Sequence, residues 1–273
     1  MVKDKKSRSN HREVEVLDAL RRLGGAARNA NLADLLGVSE ETIRRTTKAL
    51  AKSDLVRRVH GGSYLVDAEA GAGVFSRLGL RSGEKSRIAM TAANLIPDGA
   101  CVFLDVGSTS TFVAQSLSGR TNLTIVTNSL NVAQSLANSE GCRVFLAGGE
   151  LRRTEWGAFG ADTIRFLESF RFDVAILSVD GINIEGGFLL TGHEEAAVSR
   201  AVVSRTVLTI VVADHQKFNK QAPMVLCAPQ SVDVVVTDQP LSADFAQCFQ
   251  AWGVALVNAT DPKVDAIPDR EIA

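Results

Sequence analysis

The stretch Ser39 to Lys52, SEETIRRTTKALAK, constrains the fold of this chain more than any other. Ser39 is a strong N-cap residue, and Glu40 and Glu41 occupy the first turn, where the helix dipole favours acids. Ile43, Thr47 and Leu50 then fall on one face, and Arg44, Arg45, Lys48 and Lys52 on the opposite one. A helix with an apolar back and a cationic front suits the major groove of DNA. Just upstream, NLADLLGV reads as a short helix buried through Leu32, Leu35 and Leu36 and closed by Gly37 as a left-handed C-cap. Together they make a helix-turn-helix.

The next residues add a wing. Leu55 to Val59 alternates apolar and basic, Ser63 to Val66 can return beside it, and Gly61 and Gly62 supply the permissive backbone of the turn. The expected DNA contacts are Ser39, Glu40, Thr42, Arg44, Arg45 and Lys48 from the helix. Arg57, Arg58, His60, Gly61 and Gly62 are expected to contact the phosphate backbone of double-stranded DNA from the wing. A winged helical domain that binds protein is the alternative, and the combination of helix, wing and basic tip favours DNA over it.

Charge is distributed accordingly. Residues 1–66 carry fourteen Lys/Arg against eight Asp/Glu, and the remainder sixteen against twenty-three, so a net charge of −1 hides a basic head on an acidic body. No apolar run reaches the length of a membrane span, and MVKDKKSRSN lacks the apolar core of a signal peptide. A cytoplasmic protein with no membrane partner is expected. Cys101, Cys142, Cys227 and Cys248 stand far apart, and with the four histidines they form no ligand spacing. Buried thiols and no metal site are expected, and no cofactor is implied.

His11 to Leu23 reads as a first helix with Val16, Leu17, Leu20 and Leu23 at core spacing. The expected domains are 1–66, a winged helix-turn-helix; 67–82, a linker opening on DAEAGAG; and 83–273, a larger α/β domain. Glu84 to Leu95 resumes a helical pattern. Apolar runs follow at Cys101–Leu104, Leu123–Val126, Arg143–Leu146, Val174–Val179, Val207–Ala213 and Val232–Val236. Between several of them lie the helical patterns Phe112–Leu117, Leu130–Ala137, Thr163–Glu168 and Glu194–Val203. Continuous apolar strands with crossover helices imply a mostly parallel sheet covered on both faces. Ligands on such sheets bind at the carboxyl ends of the strands.

Polar motifs gather at those ends. After the first run, Asp105 precedes Gly107-Ser108-Thr109-Ser110-Thr111, a tight turn with hydroxyl donors at a helix start, which suits a phosphate. GxxxxGK[ST] is absent, so a nucleoside triphosphate is not implied. Thr127-Asn128-Ser129, Gly148-Gly149, Arg152, Asp180-Gly181 and Lys217 close later runs, and Gly160 and Glu194 lie in loops or helix starts between them. Acids and amides suit sugar hydroxyls, and Lys217, Arg152 and the amide nests suit an anion. A small phosphorylated sugar or polyol fits the ensemble, although any of these residues can instead cap a helix or close a turn.

In this order the chain resembles the DeoR family of bacterial transcription regulators over nearly its full length. LLGVSEETIRR and RRVHGG carry the resemblance at the N-terminus; EKSRIA, FLDVGSTST, VTNS, LAGGELR, FGA, SVDGI and ADHQKF carry it at the C-terminus. It implies a winged helix-turn-helix joined to a sensor domain similar to ribose-5-phosphate isomerase and CoA transferases. It also implies repression of a sugar-catabolism operon and response to a phosphorylated intermediate. The family commonly has Asp-Leu where this chain has Thr46-Thr47, and a lysine near Ser199-Arg200, here arginine. The rival class is a phosphosugar isomerase with a DNA-binding head. Such an enzyme needs a carboxylate base and a fixed cation. Here Asp180-Gly181-Ile182-Asn183 places an amide where the isomerases carry a second acid, so a receptor without catalytic residues is expected. Activator and repressor remain alternatives at this level. Because one recognition helix reads only a short site, a homodimer or homotetramer is expected.

Overall fold

In the computed structural model residues 12–20, 26–53, 55–59, 61–65 and 74–260 are described, and the chain divides into two units, Met1–Ser82 and Gly83–Ala273. His11 and residues 21–23 of the expected first helix lie outside the described residues, as do His60, residues 66–73 and the side chain of Arg57.

The first unit contains α1 (residues 12–20), β1 (Ala26–Arg28), α2 (Asn29–Leu36), α3 (Glu40–Lys52), β2 (Val56–Val59), β3 (Gly62–Leu65) and α4 (Val74–Gly79). Val16, Leu20, Leu32, Ile43, Leu50 and Val56 form its buried core. Gly37 adopts φ +61° and closes α2, as its C-cap position requires. Leu35 departs from expectation: it is 55% exposed. Leu32, Ala33 and Leu36 centre the inward stripe of α2, and Leu35 sits roughly 100° around the helix from that centre. Thr47 occupies its core position at 1% exposure. Its hydroxyl donates to the Ile43 carbonyl at 3.0 Å, and that of Thr46 to Thr42 at 2.9 Å, so neither is left unsatisfied.

The wing is a three-stranded antiparallel sheet, in the order β1-β3-β2, rather than a hairpin alone. Gly62 is required by the added strand, because a Cβ there would lie 2.6 Å from the Ala27 carbonyl oxygen. The span expected to be a linker is partly structured: α4 packs on this sheet, Val74 is fully buried, and the following helix already starts at Ser82.

The second unit opens with α5 (Ser82–Asn94), β4 (Cys101–Leu104), α6 (Ser108–Leu117), β5 (Leu123–Thr127), α7 (Leu130–Leu136) and β6 (Cys142–Leu146). It continues with the hairpin β7 (Glu150–Arg152) and β8 (Gly157–Phe159), α8 (Ala161–Leu167), β9 (Phe172–Ser178), β10 (Gly181–Asn183), β11 (Gly187–Leu190) and α9 (His193–Val203). β12 (Thr206–Val212), β13 (Met224–Val225), β14 (Val234–Thr237), α10 (Ala243–Trp252) and β15 (Ala255–Asn258) complete it. Seven strands form one parallel sheet in the order β15-β14-β12-β9-β4-β5-β6. Val102, Leu104, Ile125, Val174, Ile176 and Ile210 point to one side, with Ile88, Val113 and Val132 from α5, α6 and α7. Phe103, Val126, Ala175, Leu177, Val211 and Val235 point to the other, with Leu167, Val198 and Phe249 from α8, α9 and α10. Both faces are therefore buried. Of the four cysteines only Cys227 is buried; Cys101, Cys142 and Cys248 are half-buried and all four are free. Burial pushes the Cys227 thiol up to about 12, which suppresses its reactivity.

The Gly62 contact yields a prediction confined to one unit. Gly62→Ala should drive β1 from β3 and destabilise the first unit by about 1–3 kcal/mol. Hydrogen exchange should show the Ala27 and Arg28 amides losing protection while those of β4 and β9 keep theirs. Unaltered exchange at Ala27 would show that the third strand is not held there.

Candidate functional site

The cationic helix is built as its sequence dictates. The Ser39 hydroxyl accepts from the Thr42 amide at 3.3 Å and caps α3, leaving Glu40 and Glu41 in the first turn. Arg44, Arg45 and Lys48 are exposed, and Arg44 lies 3.6 Å from both Glu40 and Glu41. Pairs of that kind in water are worth only tenths of a kcal/mol, so a phosphate or base edge can displace them. Arg58 is exposed on β2, and Gly61 takes φ +77° at the wing turn. Arg28 was not among the expected cations. It is exposed at the start of α2, and its strand pairs in register with Gly62 beside that turn. Its three-residue strand has no periodicity by which to recognise it.

At the carboxyl edge of the large sheet, the turn between β4 and α6 is a buried polar element. Asp105 is buried; its carboxylate accepts from the Val106 amide at 2.6 Å and lies 3.3 Å from the Ser178 amide. Burial pushes its pKa up to about 7, partly offset by those donors, and the Glu195 carboxylate adds to the rise. Gly107 follows in an extended conformation and allows close approach, since a Cβ there would meet the Ser178 hydroxyl at 2.4 Å. Ser108, Thr109, Ser110 and Thr111 form the first turn of α6 and are all buried. Helix geometry leaves the leading amides of that turn without intrahelical partners. The Thr111 hydroxyl returns to the Gly107 carbonyl at 2.8 Å and is already engaged. That of Ser110 is fully buried with no hydrogen-bond partner.

The β5 end divides its labour. Thr127 donates to the Leu104 carbonyl at 2.6 Å and Ser129 caps α7, so both tie the chain together. Asn128 donates to the Ala158 carbonyl at 3.0 Å, while its own Oδ1 is buried without a partner. Buried acceptors of this kind are costly unless something completes them.

The remaining expected residues surround this core. Gly149 adopts φ +141° and a Cβ there would lie 2.2 Å from the Thr163 hydroxyl, which donates to Gly148. Gly160 caps α8 with φ +101°. Arg152 and Glu194, expected to serve an anion and a hydroxyl separately, form an ion pair with each other, and the Arg152 guanidinium lies over the Phe159 ring. Asp180 accepts from the Thr191 amide at 2.8 Å and lies 4.0 Å from the Lys217 ammonium, while Gly181 packs closely on the Lys220 carbonyl. Phe218 anchors the Lys217 loop edge-to-face on Phe245. Asp238 was not anticipated: it is buried at the end of β14 and holds the His215 ring at 2.9 Å. Only the parallel pairing of β12 with β14 brings these two together. Arg200 donates to the Val225 carbonyl. The Asn183 amide is committed to Lys220, Gln221 and Gly186, so it pins the β10–β11 turn and offers no base. Among the described residues no cluster of His, Cys, Asp or Glu has metal-binding geometry, and no helix is long and apolar enough to cross a membrane.

Comparison with known proteins matches both halves of the chain to one family. Residues 12–69 match the DeoR-like helix-turn-helix domain, and residues 81–239 the DeoR C terminal sensor domain. The glycerol-3-phosphate regulon repressor of Escherichia coli (strain K12) is 38% identical over 216 residues, covering 79% of this chain and 86% of the relative. The HTH-type transcriptional repressor GlcR of Bacillus subtilis (strain 168) is 30% identical over 90% of this chain and 95% of its own length. Ribose 5 phosphate isomerase A from Neisseria gonorrhoeae overlaps 50% of this chain and 54% of its own at 19% identity and a TM-score of 0.37, too loosely to bear on function.

Asp105 makes stability depend on pH in a defined sense. Its folded-state pKa of about 7 lies above the ordinary 3.8, so between those values the folded chain holds a proton that the unfolded chain has released. Its contribution is complete below about pH 4 and is lost as pH rises towards 7. In urea titrations Asp105→Asn should lack this part of the fall in stability between pH 4 and pH 7. Parallel pH profiles for both proteins would contradict it.

Proposed function

The chain belongs to the DeoR family of transcriptional regulators, and we propose that it represses a carbohydrate- or polyol-catabolism operon until a phosphorylated sugar or polyol binds its second unit. The observation that carries the sensing role is that two buried polar atoms at this edge lack partners, Ser110 Oγ in the first turn of α6 and Asn128 Oδ1 at the end of β5, the strand paired with β4. A helix N-terminus favours an anion, and an incoming phosphate and its neighbouring hydroxyl would complete those atoms. In this assignment Gly107 to Ser110 hold the phosphate and Lys217 stands nearby. Asp105, Asn128 and Asp180 take hydroxyls, and Arg152 and Glu194 close on the ligand by exchanging partners. Glycerol 3-phosphate is the first ligand to test, because the 38% identical relative is named for its regulon.

On DNA, α3 enters the major groove with Arg44, Arg45 and Lys48, and Arg28, Arg58 and the wing turn follow the backbone. The protein acts in the cytoplasm as a homodimer or homotetramer on paired half-sites. To regulate, the ligand must favour one arrangement of the DNA-binding heads over another. A tenfold change in operator affinity requires only about 1.4 kcal/mol of coupling.

Three measurements test this. Arg44→Ala or Arg45→Ala should weaken specific binding by about 1–3 kcal/mol, whereas Arg58→Ala should weaken all sequences alike and reduce the salt slope by about one. Thermal-shift screening against glycerol 3-phosphate and a panel of sugar phosphates should find a stabilising ligand, and Asp105→Ala and Lys217→Ala should lose the response. Sedimentation should give a dimer or tetramer. Wild-type operator affinity in all three arginine variants, or wild-type ligand response in both pocket variants, would overturn the respective half. A monomer gripping a single half-site tightly would overturn the assembly.

A further inference from the structure

Ser178, the last residue of β9, meets three consecutive residues of the β4–α6 turn. Its amide lies 3.3 Å from Asp105 Oδ2, and its hydroxyl donates to the Val106 carbonyl at 2.9 Å while standing 3.4 Å from the same carboxylate oxygen. A Cβ on Gly107 would come within 2.4 Å of the Ser178 hydroxyl and 3.1 Å of its Cβ. The Ser110 hydroxyl, buried without a partner, would lie 3.8 Å from that Cβ position. The space a side chain on Gly107 would occupy is therefore bounded by Ser178 on β9 and the open hydroxyl of α6. Its extended conformation, φ 163° and ψ 159°, sets where the first amides of α6 point.

We propose that Ser178 is the positioning residue of the effector site. By holding the Val106 carbonyl and the Asp105 carboxylate, it fixes the Gly107 turn in the form that presents the α6 amides to an anion. This rests on the assignment of that turn to a phosphorylated ligand. Ser178 does not touch the ligand itself: its hydroxyl proton is shared between the Val106 carbonyl at 2.9 Å and Asp105 Oδ2 at 3.4 Å, and its oxygen is the surface against which the glycine is laid. The pairing also explains why residue 107 carries no side chain, a requirement that its backbone angles alone do not impose. The other charged groups at this edge are Glu195, Asp214, the Arg152–Glu194 and Lys217–Asp180 pairs and His215 with Asp238. None of these takes a hydrogen bond from Ser178.

Calorimetric titration of the full chain with glycerol 3-phosphate and with inorganic phosphate, from pH 6 to pH 9, tests the assignment. Ser178→Ala, shown by circular dichroism to keep its unfolding transition, should bind about tenfold more weakly. Its pH midpoint for binding should also move upward, because Asp105 loses a donor that favours its ionised form. Gly107→Ala should lose affinity by collision with the Ser178 hydroxyl, and Gly107→Ala combined with Ser178→Gly should recover part of that loss. Ser178→Ala with wild-type affinity and midpoint overturns the proposal and leaves the effector site intact. Weaker binding with an unmoved midpoint and additive effects at 107 and 178 also overturns it, since that is the behaviour of a merely structural serine. Absence of binding of either probe to wild-type protein overturns both the effector site and the role of Ser178.

Discussion

A sheet of parallel strands whose two faces are both covered by helices has only its ends available for polar chemistry. In this chain the constraint is severe. Val102 to Leu104, Val174 to Leu177 and Ile210 to Val212 are at most 1% exposed, and helices cover both sides. Parallel connections must also return every strand in the same direction, which delivers each following loop to the same edge. Asp105, Asn128, Asp180, Asp214 and Asp238 stand there for that reason, although up to 133 residues of sequence separate them.

Within that edge the decisive contacts are those of serine side chains with the backbone of the Gly107 turn. Ser178 and Gly107 approach closely, α6 starts immediately afterwards, and the hydroxyl of Ser110 is enclosed without a partner. A buried polar group left open costs stability in the unliganded protein and returns it when a ligand completes the bond. That is a means of making binding energy available to a conformational equilibrium. At the far end of the chain, the basic first unit has the opposite character. Its cations are exposed and weakly paired, suited to a partner that brings its own high charge density.

Much of this was legible in sequence because the signals are local and periodic. Ser39 at its cap, Gly37 at φ +61°, the cationic face of α3 and the β4 run Cys101–Leu104 all follow from spacing within a few residues. What escaped depends on contacts distant in sequence. β10, β11 and β13 are two to four residues long, and β7 and β8 three each, too short to show an alternating pattern. Leu35 satisfied an apolar spacing yet faces outward, since the inward stripe centres on its neighbours. Arg152 and Glu194 look like separate ligands in the sequence, because nothing there shows that the β7–β8 hairpin brings them together. Ser178 opens the SVDGI motif, but nothing local assigns it a role: its importance arises from β9 lying beside β4.

In the proposed mechanism a phosphorylated ligand in the second unit and operator DNA on the first compete through one conformational equilibrium. Linkage makes this measurable from either side. The affinity of the protein for fluorescent operator should be determined with and without saturating ligand, and the affinity for ligand with and without saturating operator. Both should fall, and by the same factor, tenfold or more. Operator affinity that is indifferent to a ligand bound at the Gly107 turn would contradict the account.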